Sequence, residues 1–161
     1  MATITTATNP TIYSWPGNSA PAESDVLLTA AATCKQGQLG YDDGSNKITV
    51  VTTTVDDAQW ILGETRDTAA NSTTMRVRRL QPGTQLLMRV KSNATDETES
   101  NTCARGTSYG VIASSNITYL DSNATGDGTE HFKVIKFGSE LDGLQMTSTL
   151  SPGYVLVEYT D

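Results

Sequence analysis

The sequence predicts an all-β protein, either a small β-barrel or a sandwich of short antiparallel strands, with an extended N-terminal arm. The segment from Lys47 to Val55 is almost entirely β-branched, which suits a pleated strand and disfavours a helix. The 13 glycines supply turns, and several of them interrupt the chain at the short spacing of a barrel or sandwich. No segment supports a helix longer than about two turns.

Residues 1–25 differ from the rest of the chain and predict the arm. Three prolines interrupt this segment, and neither a helix nor an interior strand tolerates prolines so spaced. The segment nevertheless has enough apolar surface to dock. It either covers the chain's own barrel or lies on another subunit or protein by strand addition. The residues predicted to make the contact are Ile12, Tyr13 and Trp15.

Residues 26–161 are predicted to form the β-rich barrel domain. Its first segment, 25–33, is ambiguous between a helical turn and a strand, and its flanks favour the strand. The segment 141–146 is predicted as a strand or a loop. The other predicted strands are 38–41, 47–54, 59–64, 74–80, 86–91, 109–113, 117–120, 132–137 and 154–159.

Turn residues separate these strands. Asp43-Gly44 predicts a hairpin between the strands at 38–41 and 47–54. Pro82-Gly83 predicts a type II turn. The long polar segments 92–107 and 121–128 predict loops, and the first of them is long enough to be functional.

Charge excludes some classes of partner. The chain has 18 acidic and 11 basic residues and a net charge of −7, so phosphate backbones and anionic membrane surfaces would repel it. We therefore expect no nucleic-acid partner and no membrane partner, and the N-terminus does not resemble a signal peptide. The short basic cluster Arg76, Arg78 and Arg79 predicts either an ion-paired strand face or a subunit interface.

We find no sequence evidence for an enzyme, a metal site or a cofactor. His131 is the only histidine, and no nucleophile motif accompanies it. Cys34 and Cys103 are far apart and cannot form a structural zinc site without further ligands. We expect both to be free, buried thiols, with a disulfide as the alternative.

Several segments together resemble the head-decoration (capsid cement) proteins of tailed bacteriophages. The resemblance covers roughly residues 36–90 and, more loosely, 130–159. It is carried by four segments: Gly-Gln-Leu-Gly-Tyr-Asp at 37–42, Asp-Asp-Ala-Gln-Trp-Ile-Leu-Gly at 56–63, Arg-Val-Arg-Arg-Leu-Gln-Pro-Gly at 76–83 and the apolar strand Tyr-Val-Leu-Val-Glu-Tyr at 154–159. The polar insertion at 92–107 and the greater length depart from that family.

The resemblance implies a structural virion protein, assembled in the host cytoplasm. Such a protein binds the major capsid protein on the outer surface of an icosahedral shell, commonly as a homo-trimer, and stabilises the shell. It needs no catalytic residue and no cofactor. The alternative function is a carbohydrate- or receptor-binding β-module of a phage tail or fibre, with the loops 92–107 and 121–128 as its site.

Overall fold

A computed structural model describes residues 9–29, 32–69, 73–92, 102–141 and 153–161. These residues form fourteen β-strands and two short 3-10 turns, at Pro16–Asn18 and Gly138–Glu140, and they contain no α-helix. The strands are β1 Thr11–Ser14, β2 Ser24–Leu28, β3 Ala32–Cys34, β4 Leu39–Asp42, β5 Lys47–Val50, β6 Trp60–Leu62, β7 Arg66–Ala69, β8 Thr74–Arg79, β9 Gln85–Lys91, β10 Ser108–Tyr109, β11 Val111–Ser114, β12 Ile117–Asp121, β13 Phe132–Phe137 and β14 Tyr154–Tyr159.

The predicted all-β class is confirmed, and the barrel is present. Five strands close it in the order β2-β5-β4-β6-β8, and β3 pairs with β7 as a separate ribbon. The other strands form a seven-stranded sheet in the order β10-β13-β14-β9-β12-β11, with β1 also paired to β9. Pairing is mostly antiparallel, but β2 pairs with β5 and β12 pairs with β9 in parallel.

The predicted long arm is not confirmed. Residues 11–14 form β1, which pairs with β9 in the chain's own sheet, and residues 24–28 form a barrel strand. The first eight residues lie outside the described part of the chain. The closed barrel itself takes in only strands between residues 24 and 79, and most of the remaining chain builds the sheet.

The turn predictions are confirmed where the structure describes them. Asp43 to Asn46 connects β4 to β5, and Gly44 has a φ of +82°. Gly83 has a φ of +88°, as the third residue of a type II turn requires, and Thr84 N donates to Gln81 O at 2.9 Å. The predicted strand 25–33 is shorter than expected, and most of 141–146 lies outside the described residues.

Two hydrophobic cores stabilise the fold. The smaller core fills the barrel with Leu28, Cys34, Ile48, Val50, Leu62, Met75 and Val77. The larger one lies between the barrel and the sheet and includes Leu39, Ile61, Leu86, Met88, Val90, Val111, Leu120, Phe132, Val155 and Val157. The alternation of Phe132, Val134 and their neighbours along β13 places these two side chains in the larger core.

Hydrogen bonds also join the barrel to the sheet. Leu39 N donates to Thr118 Oγ1 at 3.1 Å in a buried contact. Val55 and Val111 exchange two backbone hydrogen bonds. A Cβ at Gly110 would lie 2.7 Å from Val55 O, so this close approach of two backbones requires glycine.

Candidate binding surface

Strand β1 positions the three residues predicted to bind a partner. Ile12 and Trp15, which follows the strand, are both partly buried against the larger core, and the register of β1 shifts between Ile12 and Ser14. Tyr13 points away from that core and is 56% exposed. Tyr13 and Leu27 are the exposed large hydrophobic side chains of the described residues, and Leu27 is on the barrel strand β2. The structure therefore separates the three residues into two anchors and one exposed aromatic ring.

Asn9 fixes the start of β1 on the β11–β12 hairpin. Asn9 Oδ1 accepts a hydrogen bond from Thr118 N at 2.9 Å, and Asn9 Nδ2 donates to Asn116 O at 3.1 Å. On the barrel side, Pro10 O lies 2.9 Å from the position that a Cβ of Gly37 would occupy. Gly37 has a φ of +86°, so both its conformation and its neighbour require glycine. The segment that begins β1 is thus held between the sheet and the barrel.

A groove of about 620 Å³ lies between β1 and the barrel. Its volume falls within the range of ligand-binding clefts in proteins. Apolar side chains and glycines form much of its lining, with charged groups among them. The lining residues are Asn9, Pro10, Thr11, Ile12, Trp15, Glu23, Lys35, Gln36, Gly37, Ile61, Leu62, Gly63, Arg78 and Ile117.

Arg76 and Arg78 of β8 lie on the outer face of the barrel. Met75 and Val77 point into the barrel, so the alternating Arg76 and Arg78 point outward. Both contact one carboxylate, with Arg78 Nη2 at 3.3 Å from Glu23 Oε1 and Arg76 Nε at 3.8 Å from Glu23 Oε2. These two arginines are therefore ion-paired within the chain.

Arg79 has a different environment from its two neighbours. Its guanidinium carbon lies 5.8 Å from the centroid of the Trp60 ring, a cation–π distance. Trp60 Nε1 in turn donates to Asp42 Oδ1 at 2.9 Å. Of the three arginines predicted at an interface, Arg76 and Arg78 are therefore paired with Glu23, and Arg79 contacts an aromatic ring.

The surroundings of His131 are structural in character. His131 Nδ1 lies 2.7 Å from Thr160 O, and because a carbonyl oxygen only accepts, Nδ1 carries the hydrogen. The ring lies beside Tyr159, whose hydroxyl donates to Asp57 Oδ1 at 3.1 Å. Burial, and then the charge of Asp57, raise the pKa of Tyr159 above its usual value. Asp57 also accepts a hydrogen bond from Gln59 Nε2.

Neither cysteine is placed for nucleophilic chemistry. Cys34 lies in the barrel core and Cys103 in the larger core, and both are free thiols, as expected. Burial raises the pKa of Cys103 to about 12 and also raises the pKa of Cys34. A thiol that stays protonated at neutral pH is a poor nucleophile and a poor metal ligand.

In the part of the chain that the structure describes, no group of three or more His, Cys, Asp or Glu side chains is placed to hold a metal ion. Nor does any helix within the described ranges have the length and apolar character that a bilayer crossing requires.

The groove was not predicted from the sequence. Its two walls come from residues 9–15 and from barrel residues distant in the chain, so no local pattern reveals it. The one local signal is Gly37, a glycine between the predicted strand segments 25–33 and 38–41, whose Cβ position is closely approached by Pro10 O. Among known proteins, no family model matches this chain and no curated protein matches it significantly.

Proposed function

We propose that this protein is a structural virion protein that binds the outer surface of an icosahedral phage capsid and stabilises it. Its partner is the major capsid protein, and the protein acts there as a homo-trimer after assembly in the host cytoplasm. The resemblance at residues 36–90 motivates this function. The all-β fold and the surface around β1 are compatible with it.

The exposure of Tyr13 is the observation that carries the proposal. A tyrosine supplies a large contact area with little loss of side-chain entropy, and tyrosines are enriched at the energetic centres of interfaces. Tyr13 is 56% exposed on a strand that is fixed to the rest of the chain through Ile12. Capsid contact would bury this ring without first requiring β1 to order.

Repetition on a lattice supports the proposal energetically. One tyrosine and one strand form a small contact, and small contacts are weak individually. A trimer that presents three copies of β1 to three capsid subunits converts the second and third contacts into intramolecular events. The proposal includes the trimer contact predicted at Arg76, Arg78 and Arg79. Arg76 and Arg78 form ion pairs with Glu23 of the same chain, whereas Arg79 contacts Trp60.

The test compares Tyr13→Ala with a matched surface variant. Purified protein is added to shells of the major capsid protein of the same phage, and bound protein is measured after sedimentation. We expect Tyr13→Ala to weaken binding at least tenfold, as loss of a central interface tyrosine does. Leu27→Ala removes the other exposed large hydrophobic side chain and should bind like the parent protein. Equal occupancy of the shells by parent and Tyr13→Ala protein would refute the role of Tyr13.

A truncation completes the experiment. Removing residues 1–8 retains Asn9 and all of β1, whereas a longer deletion through residue 20 would remove Ile12 and Trp15 from the core. The short deletion therefore separates capsid contact by residues 1–8 from contact by β1. If the parent protein does not bind the shells at all, the capsid proposal fails as a whole.

A further inference from the structure

We propose that the groove beside β1 receives an extended peptide strand of the partner, which pairs with the outer edge of β1 and places a carboxylate against Arg78 Nε. This inference rests on the proposed function only for the identity of the protein that supplies the strand. The geometry of the groove and the charge around Arg78 define the chemistry of its occupant.

The lining of the groove points to the edge of β1. Successive side chains of a strand point to opposite faces of its sheet. Thr11 and Ile12 are consecutive in β1, yet both line the groove, as do Asn9 and Pro10 just before the strand. The groove therefore runs along the edge where backbone groups are presented. One edge of β1 pairs with β9, and among the described residues no strand pairs with the other edge. An edge of this kind is a template for one more strand.

Arg78 supplies a second, independent observation. Its Nε is buried and makes no hydrogen bond with any residue that the structure describes. A buried donor without an acceptor is costly, and the cost is larger when the donor is charged. Glu23 contacts Nη2 of the same guanidinium but leaves Nε unpaired. An occupant of the groove that brings an oxygen acceptor to Nε removes this cost.

Charge selects a carboxylate as that acceptor. Glu23 is shared between Arg76 and Arg78, which leaves one excess positive charge in this cluster of three side chains. A carboxylate neutralises that excess and forms a stronger, charge-assisted hydrogen bond than a neutral carbonyl does. Ile12, Trp15 and Ile61 line the same groove and favour apolar side chains at the neighbouring inward positions.

The length of β1 sets the length of the partner strand. A four-residue strand spans about 13 Å, so the occupant needs about four residues in extended conformation. Pairing between the β1 edges of two copies of this chain is the competing arrangement. It would bring two grooves with the same excess positive charge together, and like charges at an interface oppose association.

The experiment uses a synthetic peptide as the probe of the groove. The peptide acetyl-Val-Thr-Glu-Thr-Val-amide, whose two Val share one face with Glu, is titrated into the ¹⁵N-labelled full chain, and chemical-shift changes are followed by NMR. We expect shifts at the amides of Asn9, Thr11 and Ile12 and at the Nε–H signal of Arg78. Replacing the peptide Glu by Gln should weaken binding about tenfold or more, because a charge-assisted hydrogen bond is lost.

Variants of the chain and of the peptide provide the controls. Arg78→Gln should abolish the preference for Glu over Gln in the peptide. Arg76→Gln, on the same strand and paired to the same Glu23 but outside the groove, should retain that preference. N-methylation of the peptide amides on one edge should prevent binding, and methylation on the other edge should not, because only one edge pairs with β1.

The outcomes separate this inference from the proposed function. Peptide binding that is indifferent to Arg78, or shifts confined to other surfaces, would overturn the inference, and so would dimerisation of the protein through β1 in sedimentation. Binding of the peptide together with no binding to capsid shells would retain the strand-accepting groove and reject the capsid function. If capsid binding persists in Arg78→Gln but is abolished in Tyr13→Ala, the capsid function is retained and the strand-accepting groove is rejected.

Discussion

The guanidinium of Arg89 lies 3.8 Å from the ring centroid of Tyr154, its direct neighbour across β9 and β14. Both side chains are almost completely buried, on the face of the sheet opposite Met88 and Val90. On the same face, Lys91 Nζ lies 4.7 Å from the ring centroid of Tyr119. The sheet thus has two buried cation–π contacts on one face. Because these cations are buried, water does not compete with the aromatic rings for them.

The Arg89–Tyr154 pair should be strongly coupled. Desolvated cation–π contacts contribute about 2 kcal/mol, more than exposed ones do. A double-mutant cycle with Arg89→Met and Tyr154→Leu, measured by urea unfolding, should give a coupling free energy of about 1–2 kcal/mol. The cycle Arg79→Met with Trp60→Leu is the exposed control and should give less than about 1 kcal/mol. Equal coupling in the two cycles would contradict the role of burial.

Gly40 should be required for closure of the barrel. A Cβ at this position would lie 2.6 Å from Ile48 Cγ2 and 3.1 Å from Thr49 O, in the barrel interior. Gly40→Ala should therefore lower the free energy of unfolding by about 1–3 kcal/mol, the usual cost of overpacking. Ile48→Leu removes the branch at Cβ and should offset part of that loss in the double variant. Simple additivity of the two substitutions would argue against a clash with Ile48.

Asp43 should make the β4–β5 hairpin sensitive to acid. The hydrogen bond from Thr29 Oγ1, at 2.6 Å, and then the one from Ser45 N lower the pKa of Asp43 below its usual value. Because the folded pKa is lowered, the stabilisation is complete above the ordinary Asp value of about 3.9 and is lost as pH falls through the folded pKa. Urea midpoints between pH 6 and pH 3 should therefore fall less in Asp43→Asn than in the parent. Thr29→Val should reduce the pH dependence, since it removes the largest contribution.

The buried thiols should react slowly in the native protein. With a pKa of about 12, the Cys103 thiolate is scarce at pH 8, and the rate of alkylation should be roughly 10³-fold below that of an unperturbed thiol with a pKa of about 8.5. Cys34→Ser protein isolates the reaction of Cys103, and urea should restore the rate of an exposed thiol. Alkylation of native Cys103 at that unfolded rate would contradict its burial.

Local patterns were sufficient to predict the positions of many of the strands. The β-branched run after Lys47, the alternation along Phe132–Phe137 and the Asp-Gly and Pro-Gly turns each act within a few residues. Residues 11–14 were missed as a sheet strand because Pro10 and Pro16 flank them. Those prolines are compatible with an edge strand, which needs ladder hydrogen bonds on only one side.

The candidate site was less predictable than the fold. The sequence identified Tyr13 and Arg78 as candidate contact residues by their type. It did not show that Tyr13 is exposed or that Arg78 pairs with Glu23 beside the groove. The burial of Arg78 Nε and the approach of Pro10 to Gly37 depend on packing between segments distant in sequence. Buried Arg89 was missed because a basic residue in a strand usually predicts an exposed position.

The position of β9 has a consequence for how the protein folds. Its edges are covered by β1 and β12 on one side and by β14 on the other, so that the first and last strands of the described chain both pair with it. The barrel strands all lie earlier in the chain than β9. During synthesis the barrel strands are therefore complete before the larger core can be, because Val155 and Val157 of β14 are added to the chain after all of the barrel strands. We expect a nascent chain stalled before residue 154 to leave one edge of β9 unpaired, which makes this interval the one most prone to aggregation.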